Sequence, residues 1–301
     1  MLHNVDPEVD HRCDPHTETG RETTMTRVTD RSTAGPTEDE LRTAGLRFAH
    51  NGPIAEITLC KPERRNTQTP AMWRALASLG RAMPADVRVL VVRAEGLSFS
   101  AGLDRSMLDV TAGTETLAGL LEGPDAAIAQ AIHEYQEGFL FLRDPNFISI
   151  AAVQGHAVGA GFQLALACDL RIVAEDAVFR MKEPALGLVP DLTGLTPLVR
   201  QVGYGRALEI CARARALDAV EAAALGLAHS VVPSGDLERE VEDCAHALLQ
   251  PDAGAARELK ALLQSAEISD LEQQRQREGA AQTRLLRALS ATTDDPGRRP
   301  F

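Results

Sequence analysis

The chain has 301 residues, of which 44% are hydrophobic and 25% charged, and its formal net charge is −12. That is the make-up of a soluble globular enzyme, long enough for one large domain or two small ones. The acidity argues against a nucleic-acid partner, while leaving room for a local basic pocket that takes an anionic ligand.

Five scattered cysteines (Cys13, Cys60, Cys168, Cys211 and Cys244) make no disulfide framework and no metal spacing, which points to a reducing cytoplasm. No apolar run reaches the ~18 residues a membrane span requires, so no membrane is expected. Residues 1–40 are polar and almost free of large apolar side chains, and read as a disordered tail with Met25 as an alternative start. The tail lacks the apolar core of a signal peptide. His3, His11, His16 and Cys13 lie in it at spacings that fit no metal motif.

Folding begins at Leu46. Leu46 to Phe48 and Ile54 to Leu59 read as strands around Asn51-Gly52, a hairpin signal. The segment KPERRNTQTPAMWRALASLG turns past Pro62 and Asn66 into a helix, and its Lys61, Arg64 and Arg65 read as a solvated basic turn. Val87 to Val92 reads as a buried strand leading into LSFSAGLDRSML. Gly113, Gly119, Gly123 and Pro124 mark a loop, after which Ala126 to Leu142 reads as a helix with Ile128, Ile132, Tyr135 and Phe139 at helical spacing. His133 and Tyr135 on it are weighed as substrate-facing and as packing or surface residues.

The stretch from Ile148 to Gly194 organises the rest. An apolar strand, Phe147 to Val153, runs into Gly155, Gly159, Ala160 and Gly161, then into an apolar helix, Phe162 to Cys168, and a short β-like run, Leu170 to Ala174. Small residues at such a turn let the backbone approach a ligand. The free N–H groups at a helix start, those of Ala160 and Gly161 among them, can face a developing negative charge, which is the geometry of an oxyanion hole. The alternative is that the glycines only permit tight helix–strand packing. A dinucleotide fingerprint fails, because Leu164 stands where the third glycine belongs. Two acids follow, Glu183 and Asp191. Either can be a surface group, and Asp191 can cap a helix starting near Thr193.

The run IAAVQGHAVGAGFQLALACDL resembles the signature of the crotonase superfamily, the enoyl-CoA hydratase/isomerase family. It does so at the apolar strand, the Gly155 turn, the Gly159-Ala160-Gly161 triplet and the Cys168-Asp169-Leu170 end. The resemblance covers about residues 45 to 301 and implies an α/β, crotonase-like (ClpP/crotonase) fold. Repeated β-β-α units would form two roughly perpendicular sheets, with a helical C-terminal region. It implies a core domain at 41–230 holding the CoA and acyl site, and a C-terminal oligomerisation region at 231–301. The loop F-S-A-G-L-D is similar to a family loop whose backbone N–H, here that of Leu103, is the first oxyanion donor, with that of Ala160 the second. Ala101, Gly102, Asp104, Gly159, Gly161 and Gln163 are then substrate-binding positions, with Asp104 capping or bracing the loop. Lys61, Arg64 and Arg65 fall where the family meets CoA phosphates, and residues 104–146 where it shapes the acyl pocket.

Family hydratases hold their water with two glutamates. Here one position matches Glu183 and the other holds Gln163, an amide without useful basicity. The spacing from Lys182-Glu183 to Asp191 resembles the dienoyl-CoA isomerase branch, although that branch has an aspartate where Gln163 stands. A dehalogenase branch also has an aspartate matching Asp191, with an aromatic residue in place of Glu183. The resemblance thus implies acyl-CoA chemistry through an enolate, with a double bond shifted by proton transfer between Glu183 and Asp191. The alternatives are hydration with Glu183 as single acid/base, and an acyl-CoA-binding protein without turnover. It implies no metal and no bound cofactor, coenzyme A being part of the thioester substrate. It further implies a cytoplasmic homotrimer or dimer of trimers. Leu237 to Leu249 and Ala255 to Leu263 read as further helices.

Overall fold

The structure, a computed structural model, describes residues 35–108 and 116–293. Helix α1 (Glu38–Ala44) precedes a hairpin of β1 (Leu46–Asn51) and β2 (Ile54–Leu59), and α2 (Pro70–Arg81) crosses to β3 (Val89–Ala94). Helices α3 (Leu117–Leu121) and α4 (Asp125–Leu140) lead to β4 (Ile148–Val153), followed by β5 (His156–Val158), α5 (Ala160–Ala167) and β6 (Leu170–Ala174). Next come β7 (Val178–Arg180), α6 (Leu195–Val202), α7 (Tyr204–Arg213), β8 (Ala216–Asp218), α8 (Ala219–Ala224) and β9 (Ser230–Val232). Helices α9 (Leu237–Leu248), α10 (Ala253–Ala266) and α11 (Leu271–Thr293) end the described chain.

The larger sheet has the order β1-β2-β3-β4-β6-β9, parallel throughout except for the β1-β2 hairpin. Its central strands are rich in Val, Ile and Ala because both faces are covered. Leu90, Val92, Ala151 and Val153 point into the main core. The alternate residues Val89, Val91, Ile150, Ala152 and Ile172 pack against Val241 and Ala245 of α9. Helix α9 lies in the segment expected to be C-terminal and oligomeric, yet it closes the outer face of this sheet.

A smaller sheet, β5-β7-β8, stands beside the larger one. Strand β4 hands over to β5 through Gly155 (φ 53°), and β6 hands over to β7 through the short link Glu175-Asp176-Ala177. The segment after β3 makes the corresponding step: Ser100 N–H donates to the His156 carbonyl, and Val158 N–H to the Ser100 carbonyl. These are the repeated β-β-α units expected from the sequence, and the α/β fold agrees.

Several boundaries move for local reasons. The hairpin turns on Gly52 (φ 57°) and Pro53, and Asn51 stays in β1. Helix α1 begins inside the stretch expected to be tail, because Thr37 and Glu40 form a capping box; residues 1–34, with His3, His11, Cys13 and His16, lie outside the described residues. Helix α5 starts two residues before Phe162, since the glycine at its N-cap, Gly159, takes φ 52° and lets the backbone enter the helix directly. Strands β5, β7, β8 and β9 are three residues each, too short for a periodicity. Helix α11 falls in the C-terminal region expected to be helical, although its own bounds were not read from the sequence.

Candidate active site

The loop after β3 is held from below by polar side chains buried in an apolar setting. Asn66 is fully buried; its amide donates to the carbonyls of Glu95 (2.8 Å) and Ser98 (2.9 Å). Ser100 Oγ donates to the Asn66 carbonyl at 2.7 Å and accepts from Gln68 Nε2 (3.1 Å) and the Gly102 N–H (3.2 Å). Trp73 Nε1 donates to Gln68 Oε1 at 2.8 Å, while the main chains of Gln68 and residues Gly102 and Asp104 exchange hydrogen bonds of 2.8 Å each. Every polar group in this network has a partner, which is what makes it stiff.

Two glycines bring the second turn onto the first. Gly102 takes φ 85°, and a Cβ there would lie 2.4 Å from the Val158 carbonyl oxygen and 3.5 Å from the Ala160 nitrogen. A Cβ on Gly161 would lie 2.5 Å from the Ser100 carbonyl oxygen. Only glycine allows the F-S-A-G-L-D loop and the start of α5 to touch in this way. As the first residue of α5, Ala160 has an N–H without an intrahelical acceptor. Among the described residues no hydrogen bond engages the N–H of Leu103 or of Ala160. The positive end of the α5 dipole adds to their pull on an anion.

The candidate acid, Glu183, comes from the 3-10 turn Glu183–Leu186 after β7. Its carboxyl lies over Gly159, where a Cβ would be 3.1 Å from Glu183 Oε1 and 3.4 Å from Oε2. Gln163, fully buried on the first turn of α5, donates from Nε2 to Glu183 Oε1 at 2.7 Å. Glu183 Oε2 is buried without a hydrogen-bond partner. Burial pushes this carboxyl above its ordinary range; hydrogen bonds from the main chain and Gln163 pull it down, and the charge of Asp191 pushes it up again.

Asp191 lies eight positions on, in a loop tied back to the same glutamine: Gln163 Oε1 accepts from the N–H of Leu192 (2.9 Å) and of Gly194 (3.4 Å). Gln136 Nε2 of α4 donates to the Asp191 carbonyl at 2.7 Å. Burial raises the Asp191 carboxyl as well, though the residue stays open to solvent and water screens the effect. It does not cap α6, which starts at Leu195 with Gly194 as its N-cap and no side-chain cap.

The other sequence candidates fall around this centre. Ala101 is tied through its N–H to the Arg65 carbonyl at 2.9 Å. Asp104 faces its own loop, accepting from Thr67 Oγ1 (3.0 Å), the Ser106 N–H (3.0 Å) and Ser106 Oγ (2.8 Å), with Arg64 at 3.4 Å. Burial opposes its charge, but these donors hold the carboxyl below the usual range. It braces the loop. Lys61 donates to the Thr43 carbonyl at 2.8 Å, and Arg65 is exposed with φ 52°. Tyr135 belongs to the core, its ring 5.1 Å from that of Trp73, and His133 is exposed. Gly113 lies outside the described residues. No group of three or more His, Cys, Asp or Glu side chains that could hold a metal forms among the described residues.

Sequence reading had missed the Gln68–Ser100–Trp73 network, which polar residues flanked by apolar ones in NTQTPAMW and LSFSAG foreshadow. It also missed Arg171. This fully buried guanidinium donates to the carbonyls of Ala165 (3.2 Å), Cys168 (2.8 Å) and Leu227 (2.5 Å), and so fixes the far end of α5.

Two unengaged amides on touching turns, with a buried carboxyl beside them, can hold charge on a carbonyl oxygen while a proton moves nearby. The comparisons agree with such an enzyme. Residues 49–294 match the family described as enoyl-CoA hydratase/isomerase. A Thermobifida fusca protein named as an enoyl-CoA hydratase, solved in complex with CoA, is 47% identical and superposes with a TM-score of 0.82, covering 86% of this chain and 100% of that one. The same protein in complex with acetoacetyl-CoA is 48% identical, with a TM-score of 0.82 and 85% and 100% of the two chains covered. A Mycobacterium tuberculosis protein named as an enoyl-CoA hydratase is 34% identical over 252 residues, 80% of this chain and 84% of its own. The chain belongs to the enoyl-CoA hydratase/isomerase family and has its crotonase fold.

Proposed function

We propose that this protein takes an enoyl-CoA or dienoyl-CoA thioester and shifts its double bond through an enolate. The N–H groups of Leu103 and Ala160 receive the thioester oxygen, and Glu183 takes a proton from the chain, with Asp191 returning one elsewhere. The observation that carries this reading is Glu183 Oε2, buried and unpartnered beside Gly159 at the start of α5. A carboxyl oxygen left without a donor costs stability unless the substrate completes it. The electrostatic influence of Asp191 on Glu183 supports a pair that shares the work. The CoA and acetoacetyl-CoA complexes of the Thermobifida relative support the thioester class. The trimer expected from the family resemblance belongs to the same proposal, and exposed Leu259 and Leu263 on α10 and Leu271 on α11 give it apolar surface to bury.

Hydration with Glu183 alone is the second reading, favoured by the solvent exposure of Asp191. Incubating the protein with enoyl- and dienoyl-CoA thioesters in deuterated water separates the two. A deuterated isomer, lost in both Glu183→Gln and Asp191→Asn, supports the shift. A product heavier by one water, lost only in Glu183→Gln, supports hydration. Binding without product across the panel sinks both and leaves an acyl-CoA-binding protein.

A further inference from the structure

We propose that Gln163 is a positioning residue that gives the two oxygens of Glu183 different work: Oε1 is anchored, Oε2 alone carries the proton, and the loop bearing Asp191 is locked to that choice. The proposal rests on the reading of Glu183 as the acid/base. Its ground is the direction of the hydrogen bonds. Gln163 Oε1 accepts from the N–H of Leu192 and of Gly194. Turning the amide over would set its NH2 against two backbone donors, so the amide has one orientation, with its own N–H aimed at Glu183 Oε1 at 2.7 Å. A Cβ on Gly194 would come within 2.7 Å of Gln163 Cγ, so the loop closes down on the side chain.

The chemical consequence is an asymmetric carboxyl. A hydrogen bond to Oε1 favours the ionised form of Glu183 and so opposes its burial, while a proton arriving from substrate has only Oε2 to go to. The same turn of α5 also holds the oxyanion donor. Gln163 N–H closes that turn on the Gly159 carbonyl at 2.9 Å, one step from the Ala160 N–H. The oxyanion donor and the side chain that anchors the acid therefore sit on one turn of backbone. The titratable groups facing Glu183 are Asp191 on the loop and Cys211 of α7, whose thiol is raised by burial and by the charge of Glu183.

Two variants separate this role from packing. Gln163→Met keeps the bulk and removes both donor and acceptor. Gln163→Glu keeps an acceptor for Leu192 and Gly194 but puts a second carboxyl against Glu183. The first readout needs no substrate: the carboxyl carbon resonance of Glu183 in 13C-glutamate-labelled protein, assigned with Glu183→Gln, is titrated. Its last ionisation is expected at higher pH in both variants than in the parent protein. Hydrogen exchange at Leu192 and Gly194 should speed up in Gln163→Met and stay slow in Gln163→Glu. The second readout is α-proton exchange of a saturated acyl-CoA in deuterated water. Measured above the raised ionisation, kcat is expected to fall about ten- to a hundredfold, the cost of an acceptor oxygen no longer held in place, with KM within about twofold. An unchanged Glu183 titration in both variants, even with a lowered melting temperature, makes Gln163 a packing residue and overturns the proposal. Absence of exchange in the parent protein removes the enolate reading instead, and the titration still decides what Gln163 does.

Discussion

At the residue scale the site turns on a carboxyl kept where a carboxylate is uncomfortable. Burial raises the pKa of Glu183 above its ordinary 4.5, so the folded protein binds that proton more tightly than the unfolded chain. The sign follows: this group favours folding at low pH and loses that contribution as pH rises from about 4.5 through the raised folded value. Asp191, also raised, acts in the same sense. Glu183→Gln should therefore stabilise the fold at pH 8 and do little at pH 4, which paired thermal melts at the two pH values check directly. The same substitution should cut α-proton exchange by about 10²- to 10⁴-fold. A variant retaining more than a tenth of the parent rate would remove Glu183 from the chemistry.

At the element scale two turns are pressed together by residues without side chains. Gly102→Ala should leave the sheets intact but push the first turn off Val158, moving the Leu103 N–H away from that of Ala160. Exchange activity should fall about 10²-fold or more, as when one oxyanion donor is lost, with only a modest fall in melting temperature. Parent-like activity in that variant would show that the two turns need not touch. Gly155 answers differently, because a Cβ there would lie 1.9 Å from the Leu97 carbonyl oxygen at φ 53°. Gly155→Ala breaks the handover from β4 to β5 and should cost about 3 kcal/mol of stability, read by urea unfolding.

At the scale of the whole molecule the C-terminal helices are tied to the site by a buried ion pair. Lys260 of α10 donates to Asp169 Oδ2 and to the Phe147 carbonyl, each at 2.7 Å, with its ammonium 5.3 Å from the Phe147 ring. Burial lowers the Lys260 pKa, and the charge of Asp169 works against this. Asp169 also accepts from the Ser149 N–H at 2.7 Å, so α10, β4 and the end of α5 meet at one carboxylate. Lys260→Met leaves that carboxylate without its cation and should cost about 3 kcal/mol, measured by urea unfolding, with thioester affinity unchanged. The proposed trimer is a separate matter, settled by the mass in solution from light scattering. A monomer at micromolar concentration would refute it and leave the apolar side chains of α10 and α11 unexplained.

Much of this was legible in the chain. The apolar runs 87–92 and 147–153 announced buried strands, because a strand covered on both faces must be apolar throughout; that they pair in parallel was for the structure to show. The glycines at 159 and 161 announced a close approach of backbone, to a ligand or to a packed strand, since small residues at a turn permit either. Glu183 and Asp191 were visible as acids after an apolar unit. What the chain left undecided was orientation. Whether Asp104 faced substrate or its own loop, whether Tyr135 lined a pocket or the core, and whether Asp191 capped a helix all depend on which surfaces meet. Those meetings are long-range packing events with no local periodicity to betray them. Gln163 marks the division most clearly: the sequence showed an amide where the family's hydratases hold a carboxyl. Only the tertiary structure, by bringing the loop of Leu192 and Gly194 against its oxygen, decided which way that amide points and what it does to Glu183.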